Sequence, residues 1–217
     1  MLYALLDNAI RNTPDRVWDR IAPVLEDLAE GRTSLDAVRH PLGFVCLPLV
    51  RDDSPEGVCL HYWSTDEKSA GPTTSRYHCH SWHLLSHILA GSVGNQRITL
   101  VPGDRFREFT ALTRGYEDTL EPTAVFTDVR CDEPETYAAG ESYELEAGHF
   151  HASVSSGATV SVTLVLGRMV PGETDITLGT PALGPHRVIR RSLGHQEARR
   201  VAGEVLRLRP ALSGSVA

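Results

Sequence analysis

Residues 76–91 read RYHCHSWHLLSHILAG, which sets His78 and His80 one residue apart in an apolar, aromatic run that closes on Gly91. In an extended strand successive side chains alternate between faces, so His78 and His80 point one way and Cys79 the other. Two imidazoles on one face of one strand can supply adjacent positions around a metal ion. Ten histidines in 217 residues would give about half an H-x-H pair by chance, so one pair alone is weak evidence. A second pair, His149 and His151, stands in EAGHFHASV.

Around this stretch the chain is built of short runs rich in β-branched and aromatic residues: GFVCLPLV, GVCLHYWS, QRITLVP, AVFTDVR, SYELEA, HASVSS and ATVSVTLVLGRMV. Clusters of Gly, Pro, Asp and Ser separate them, the pattern of an antiparallel sandwich or barrel. The ends differ. Residues 14–31 put Val17, Ile21, Val24, Leu25 and Leu28 on one helical face, with Thr13 placed to cap, Pro14 at the first turn, Pro23 placed to kink and Gly31 at the close. Residues 195–208 repeat a helical spacing at Ala198, Val201, Val205 and Leu208. The expected organisation is a helical segment over 1–36, a β-barrel over 37–184 and a basic helical tail over 185–217.

The frame around the histidine pairs resembles the two motifs of the cupin superfamily, whose members are small β-barrels. The first motif runs H-x-H, a glutamate and a glycine; His78, His80, Leu84 and Gly91 fall in that register. The second runs from a glycine through Pro-x-Gly to a histidine; Gly140, Glu146, Gly148 and His151 match it, with Glu146 in place of the proline. The resemblance covers about residues 58–167 and implies a mainly β fold, a cupin antiparallel barrel or jelly roll flanked by helical segments. It also implies a metal held by His78, His80 and His151. Leu84 cannot coordinate, so the set is three neutral histidines without a carboxylate. That set is similar to the thiol dioxygenases, cysteine dioxygenase among them, and the run after His151 looks like their closing strand. The implied cofactor is Fe(II), with Zn, Mn or Ni as alternatives, and the implied activity is a non-haem iron oxygenase. The other readings are a Zn, Mn or Ni lyase or isomerase and a small-molecule-binding barrel without turnover.

Further residues are placed by strand parity. Arg76, two before His78, would share the ligand face and could grip a substrate carboxylate. Trp82, two after His80, could wall the pocket, and Tyr62 could supply a phenol for proton transfer. His61 is a candidate partner for a ligand, and His149 a candidate ligand or acid/base; His83 and His87 read as surface or core polar groups.

Composition bounds the alternatives. Apolar residues make up 41% and charged residues 23%, as in ordinary folded proteins. The net charge of -7 argues against a general nucleic-acid binder. The charge is uneven: residues 185–209 hold seven arginines against Glu197 and Glu204, net +5, so this segment is a solvated basic helix, a partner for the acidic remainder, or a site for an anionic partner. Cys46, Cys59, Cys79 and Cys131 show no CxxC spacing, which fits reduced thiols. No apolar run approaches the ~18 residues of a membrane span, and Asp7 and Arg11 interrupt the start, so a cytoplasmic location is the default expectation. No phosphate-binding or serine-nucleophile motif occurs. The expected partners are a small-molecule substrate, dioxygen and a second copy of the chain, with no nucleic acid and no membrane.

Overall fold

The computed structural model describes residues 2–52, 54–65, 71–155 and 159–210. The chain opens with α1 (Leu2–Asn12), a 3-10 turn (Pro14–Arg16) and α2 (Val17–Ala29). Residues 14–31 therefore do not form one helix. Thr13 makes no side-chain cap, Pro14 starts the tighter turn, and α2 begins only at Val17. Pro23 sits inside α2.

The strands follow as β1 (Val38–Arg39), β2 (Phe44–Val50), β3 (Glu56–Ser64), β4 (His78–Cys79) and β5 (Trp82–Ala90). A long pair comes next, β6 (Ser92–Arg114) and β7 (Glu117–Cys131), and then β8 (Glu135–Ala138), β9 (Ser142–Leu145), β10 (His151–Ser155) and β11 (Val160–Met169). The chain ends in β12 (Ile176–Gly179), β13 (His186–Ile189), β14 (Arg191–Ser192) and α3 (His195–Arg207). Residues 156–158 and 211–217, which belong to the expected closing strand and basic tail, lie outside the described residues.

These strands make a mainly antiparallel jelly roll built from two sheets. One runs β14-β1-β2-β3-β11-β5-β9; the other runs β10-β4-β12-β6-β7-β13, with β8 added on β6. Strand alternation divides the first sheet into two faces. Val45, Leu47, Val58, Leu60, Leu85, Val162, Leu164 and Leu166 point outward into a core closed by α1, α2 and α3. The opposite face, with Leu84, Ile88, Tyr143, Leu145 and Val165, looks into the roll. The helices thus bury the outer face of one sheet and leave the interior to the strands.

Two departures from the sequence expectation have clear causes. β6 runs through Pro102-Gly103, where a strand end was expected, because the register shifts between Val101 and Phe106 and absorbs the break as an irregularity. The tail is not purely helical: β13 pairs with β7 and β14 with β1 before α3 starts. Its arginines meet the acidic body, Arg187 with Glu117 (3.2 Å), Arg190 with Asp118 (2.7 Å) and Arg209 with Asp19 (2.9 Å). Among the described residues no helix is long and apolar enough to cross a membrane.

Candidate metal centre

His78 and His151 face each other across the β4–β10 pair as direct Cα partners, which brings the two histidine pairs of the sequence together. His80 lies just past β4, and the backbone N–H of Gly148 donates to its carbonyl at 2.9 Å. Gly148 adopts φ +78°, a left-handed turn that sends the chain from this bond into β10 and His151. Gly91 does the same for β5 and β6: it sits at φ +69°, and a Cβ there would lie 2.4 Å from the Val160 carbonyl oxygen. The spaced glycines of the two motifs are therefore turn residues, and one of them fastens the second motif to the first.

The three imidazoles converge. Ring centroids are 4.5 Å apart for His78 and His151, 4.8 Å for His78 and His80, and 5.3 Å for His80 and His151. One ring nitrogen from each lies within 4.8 Å of the others. Two rings are held in a fixed tautomer. The Nδ1–H of His78 donates to the Arg76 carbonyl (2.9 Å), and the Nδ1–H of His151 donates to Asn95 Oδ1 (2.9 Å). Each of these leaves Nε2 as a lone pair aimed inward, the arrangement by which an outer hydrogen bond orients a metal-ligating imidazole. His80 Nε2 meets His151 Nε2 at 3.2 Å, so one hydrogen sits where a cation would engage the same nitrogens.

Electrostatics favour the neutral rings that a metal requires. Burial pushes the pKa of all three below the usual imidazole value, with the Asp175 carboxylate and the Arg76 carbonyl opposing this in part at His78. His80 is lowered further by His78 and His151, and His151 by His78, since three like groups in one site resist simultaneous protonation. Among the described residues no carboxylate joins this donor group. A divalent ion suits the set: three imidazole nitrogens, neutral and preoriented.

The remaining candidates divide. Trp82 stacks on His80, with centroids 4.2 Å apart and planes 29° from parallel. Gly167 makes room for it, since a Cβ there would come within 2.8 Å of the indole. Leu84, in the place of the motif's glutamate, is buried with Ile88, Tyr143, Leu145 and Val165 beside Trp82, an apolar wall inside the roll.

Arg76 is exposed, its guanidinium 3.4 Å from Gln96 Oε1 and over the Tyr77 ring. This corrects the expected inward side chain: β4 begins at His78, so the alternation does not extend back, and Arg76 serves His78 through its carbonyl instead. Tyr62 is also corrected. Its parity on β3 is opposite to that of His61, so it lies in the outer core under α3 and donates to Glu204 Oε2 at 2.7 Å. His149 is exposed in the turn before β10. His83 accepts from the Ala147 N–H, while buried His87 pairs with Ser142 Oγ. His61 groups with Cys46 and Cys59, and its charge adds to the lowering of the His80 imidazole.

Asn95 escaped the sequence reading. It stands on β6 just past Gly91 but 56 residues before His151, and comes beside that ring because β6 pairs with β10. A cleft of about 360 Å³ lined by Ala29, Gln196, Arg199, Arg200, Gly203 and Arg207 lies between α2 and α3. It is on the helical side of the molecule and holds none of the triad.

No protein-family model matches the chain, and neither does any curated protein. Among solved structures it is similar to Fe(II) HppE (12% identity, TM-score 0.34), covering 58% of this chain and 50% of that one. Hydroxypropylphosphonic acid epoxidase from S. wedmorenis gives 15% identity and a TM-score of 0.33 over the same shares, 58% and 50%. Procruciferin, an 11S globulin from Brassica napus, gives 12% identity and a TM-score of 0.38 over 72% of this chain and 35% of that one. The chain thus spans about half the length of the first two and about a third of the globulin.

Proposed function

We propose that this jelly roll is a non-haem Fe(II)-dependent oxygenase acting on a small molecule, a thiol or an amino acid. The observation that carries the reading is the convergence of three neutral imidazoles, two with Nδ1 tied to oxygen acceptors, in a group without a carboxylate. The same ligand set underlies the likeness to the thiol dioxygenases. Bound by His78, His80 and His151, ferrous iron would supply the one-electron chemistry that dioxygen needs, with positions left open for both reactants.

The chain's own residues support the site in other ways. Asn95 and the Arg76 carbonyl hold two rings in their ligating tautomer. Trp82 covers one face of His80 and limits its rotation. The apolar side chains around Leu84 keep water away from the inner side of the site. A donor set lacking a carboxylate weighs against 2-oxoglutarate use, which goes with two histidines and one carboxylate.

The test is metal analysis of protein purified without chelators, followed by oxygen-electrode measurements of the iron-loaded protein with a panel of thiols and amino acids. Oxygen consumption dependent on iron and on one substrate class is the expected result. Turnover under strict anaerobiosis with Zn or Mn would replace the reading with a lyase or isomerase. Tight ligand binding with no turnover under any metal would leave a small-molecule-binding barrel.

A further inference from the structure

A second cluster of metal-binding side chains faces into the roll from the other sheet. β2 and β3 pair antiparallel with Cys46 directly opposite His61, and Cys59 lies two residues before His61 on the same face of β3. One donor atom from each of the three lies within 4.8 Å of the others. Cys59 thus stands diagonally across the strand pair from Cys46 and beside His61 on its own strand. The His61 ring is fixed by stacking on Phe44 at 4.1 Å, and Phe44 stacks in turn on His40 at 4.4 Å. Val38, Leu42, Phe44 and Trp63 form the apolar surround.

We propose that Cys46, Cys59 and His61 form a second metal site, distinct from the histidine triad and selective for Zn(II). Two sulfurs and one imidazole are a donor set that zinc accepts at near-tetrahedral geometry, with the fourth position left for water or a substrate atom. Charge argues for zinc over a monovalent soft ion. Two thiolates cancel the double positive charge, and a neutral complex is the one that an apolar pocket holds at least cost. Binding forms two Zn–S bonds and one Zn–N bond and releases one proton from each thiol to the buffer. The site is preorganised, because two paired strands fix all three backbone positions and stacking fixes the ring. The triad offers only nitrogen, this cluster mainly sulfur, so one roll holds two sites of different metal preference.

The test uses the full chain, freed of metal and kept reduced with a phosphine under anaerobic conditions, with Co(II) as the spectroscopic stand-in for Zn(II). A His78→Ala background silences the triad. The expected result is a sulfur-to-cobalt charge-transfer band that saturates at one equivalent, disappears on adding Zn(II), and is absent in Cys59→Ser. A nitrogen-only site cannot give this band. Its absence in the background protein, or its persistence in Cys59→Ser, overturns the proposal. Because serine variants can disturb the strand pair, alkylation of wild-type protein with and without Zn(II), read by mass spectrometry, provides a second measurement. Zinc should slow labelling of Cys46 and Cys59 by at least about tenfold while exposed Cys131 is unaffected. Equal labelling rates, or a Cys46–Cys59 disulfide in the reduced preparation with no zinc uptake, also overturn it.

Discussion

Replacing Asn95 with Ala should weaken the metal centre without touching a ligand. Asn95 is 1% exposed, and its Oδ1 is the acceptor for the Nδ1–H of His151, itself 2% exposed. Alanine removes that acceptor and leaves a buried imidazole N–H with no partner, at a cost of about 1–3 kcal/mol. The ring then gains by turning or by moving its proton to Nε2, the nitrogen that must carry the lone pair. Losing such an outer hydrogen bond typically lowers metal affinity by about 10–100-fold, which at about 1.4 kcal/mol per tenfold is an effect of the same size. The amide contributes little else, since its Nδ2 is buried with no hydrogen-bond partner among the described residues. Competition between the protein and a chelating indicator measures the affinity, and urea unfolding of the metal-free variant checks the fold. A folded Asn95→Ala protein with wild-type affinity would refute the reasoning, since it would mean that His151 does not need Asn95 to present Nε2.

Other expectations follow from the same geometry. Arg76→Lys should leave metal affinity unchanged in the indicator assay, because the contact to His78 is made by the backbone carbonyl; a loss of metal would mean that the side chain reaches the site. Gly91→Ala should lower the urea midpoint, since a left-handed non-glycine residue costs about 1–3 kcal/mol and its Cβ would press on the Val160 carbonyl; an unchanged midpoint contradicts the turn. Arg190→Ala should cost about 3–5 kcal/mol in urea unfolding, because Asp118, 8% exposed, would keep a buried charge with its cation gone; a change near zero would mean that water reaches the pair. For pH, burial holds the His40, His80 and His151 values below 6.5 in the folded chain, so the unfolded chain binds more protons between those lowered values and 6.5. Stability of the metal-free protein is then full above 6.5 and falls on acidification below it, and denaturation midpoints that rise toward acid would contradict the assignment.

Local signals were legible wherever one strand or one turn decides the outcome. The alternation in His78-Cys79-His80, the glycines ahead of β6 and β10, and the runs that became β2, β3 and β11 depend on the chain's own period and on positive φ, both of which leave a mark in the sequence. What escaped depends on which strands become neighbours. Asn95 serves His151 only because β6 pairs with β10, a contact between residues 56 apart. Tyr62 and His61 are adjacent in sequence, yet one faces α3 and the other the interior, and nothing in HYW says which face of β3 is which until the helices choose a side. Arg76 failed for a third reason: alternation applies only inside a strand, and β4 is two residues long. The cysteines combine the first two. Cys46 and Cys59 have no recognisable spacing because their proximity comes from the β2–β3 register, and parity then adds His61. Two of the triad's ligands stand as H-x-H and the third is marked by a second glycine-framed pair, whereas Cys46 joins Cys59 and His61 only through the β2–β3 register and carries no such frame. That asymmetry explains why the triad could be read from the sequence and the cysteine cluster could not.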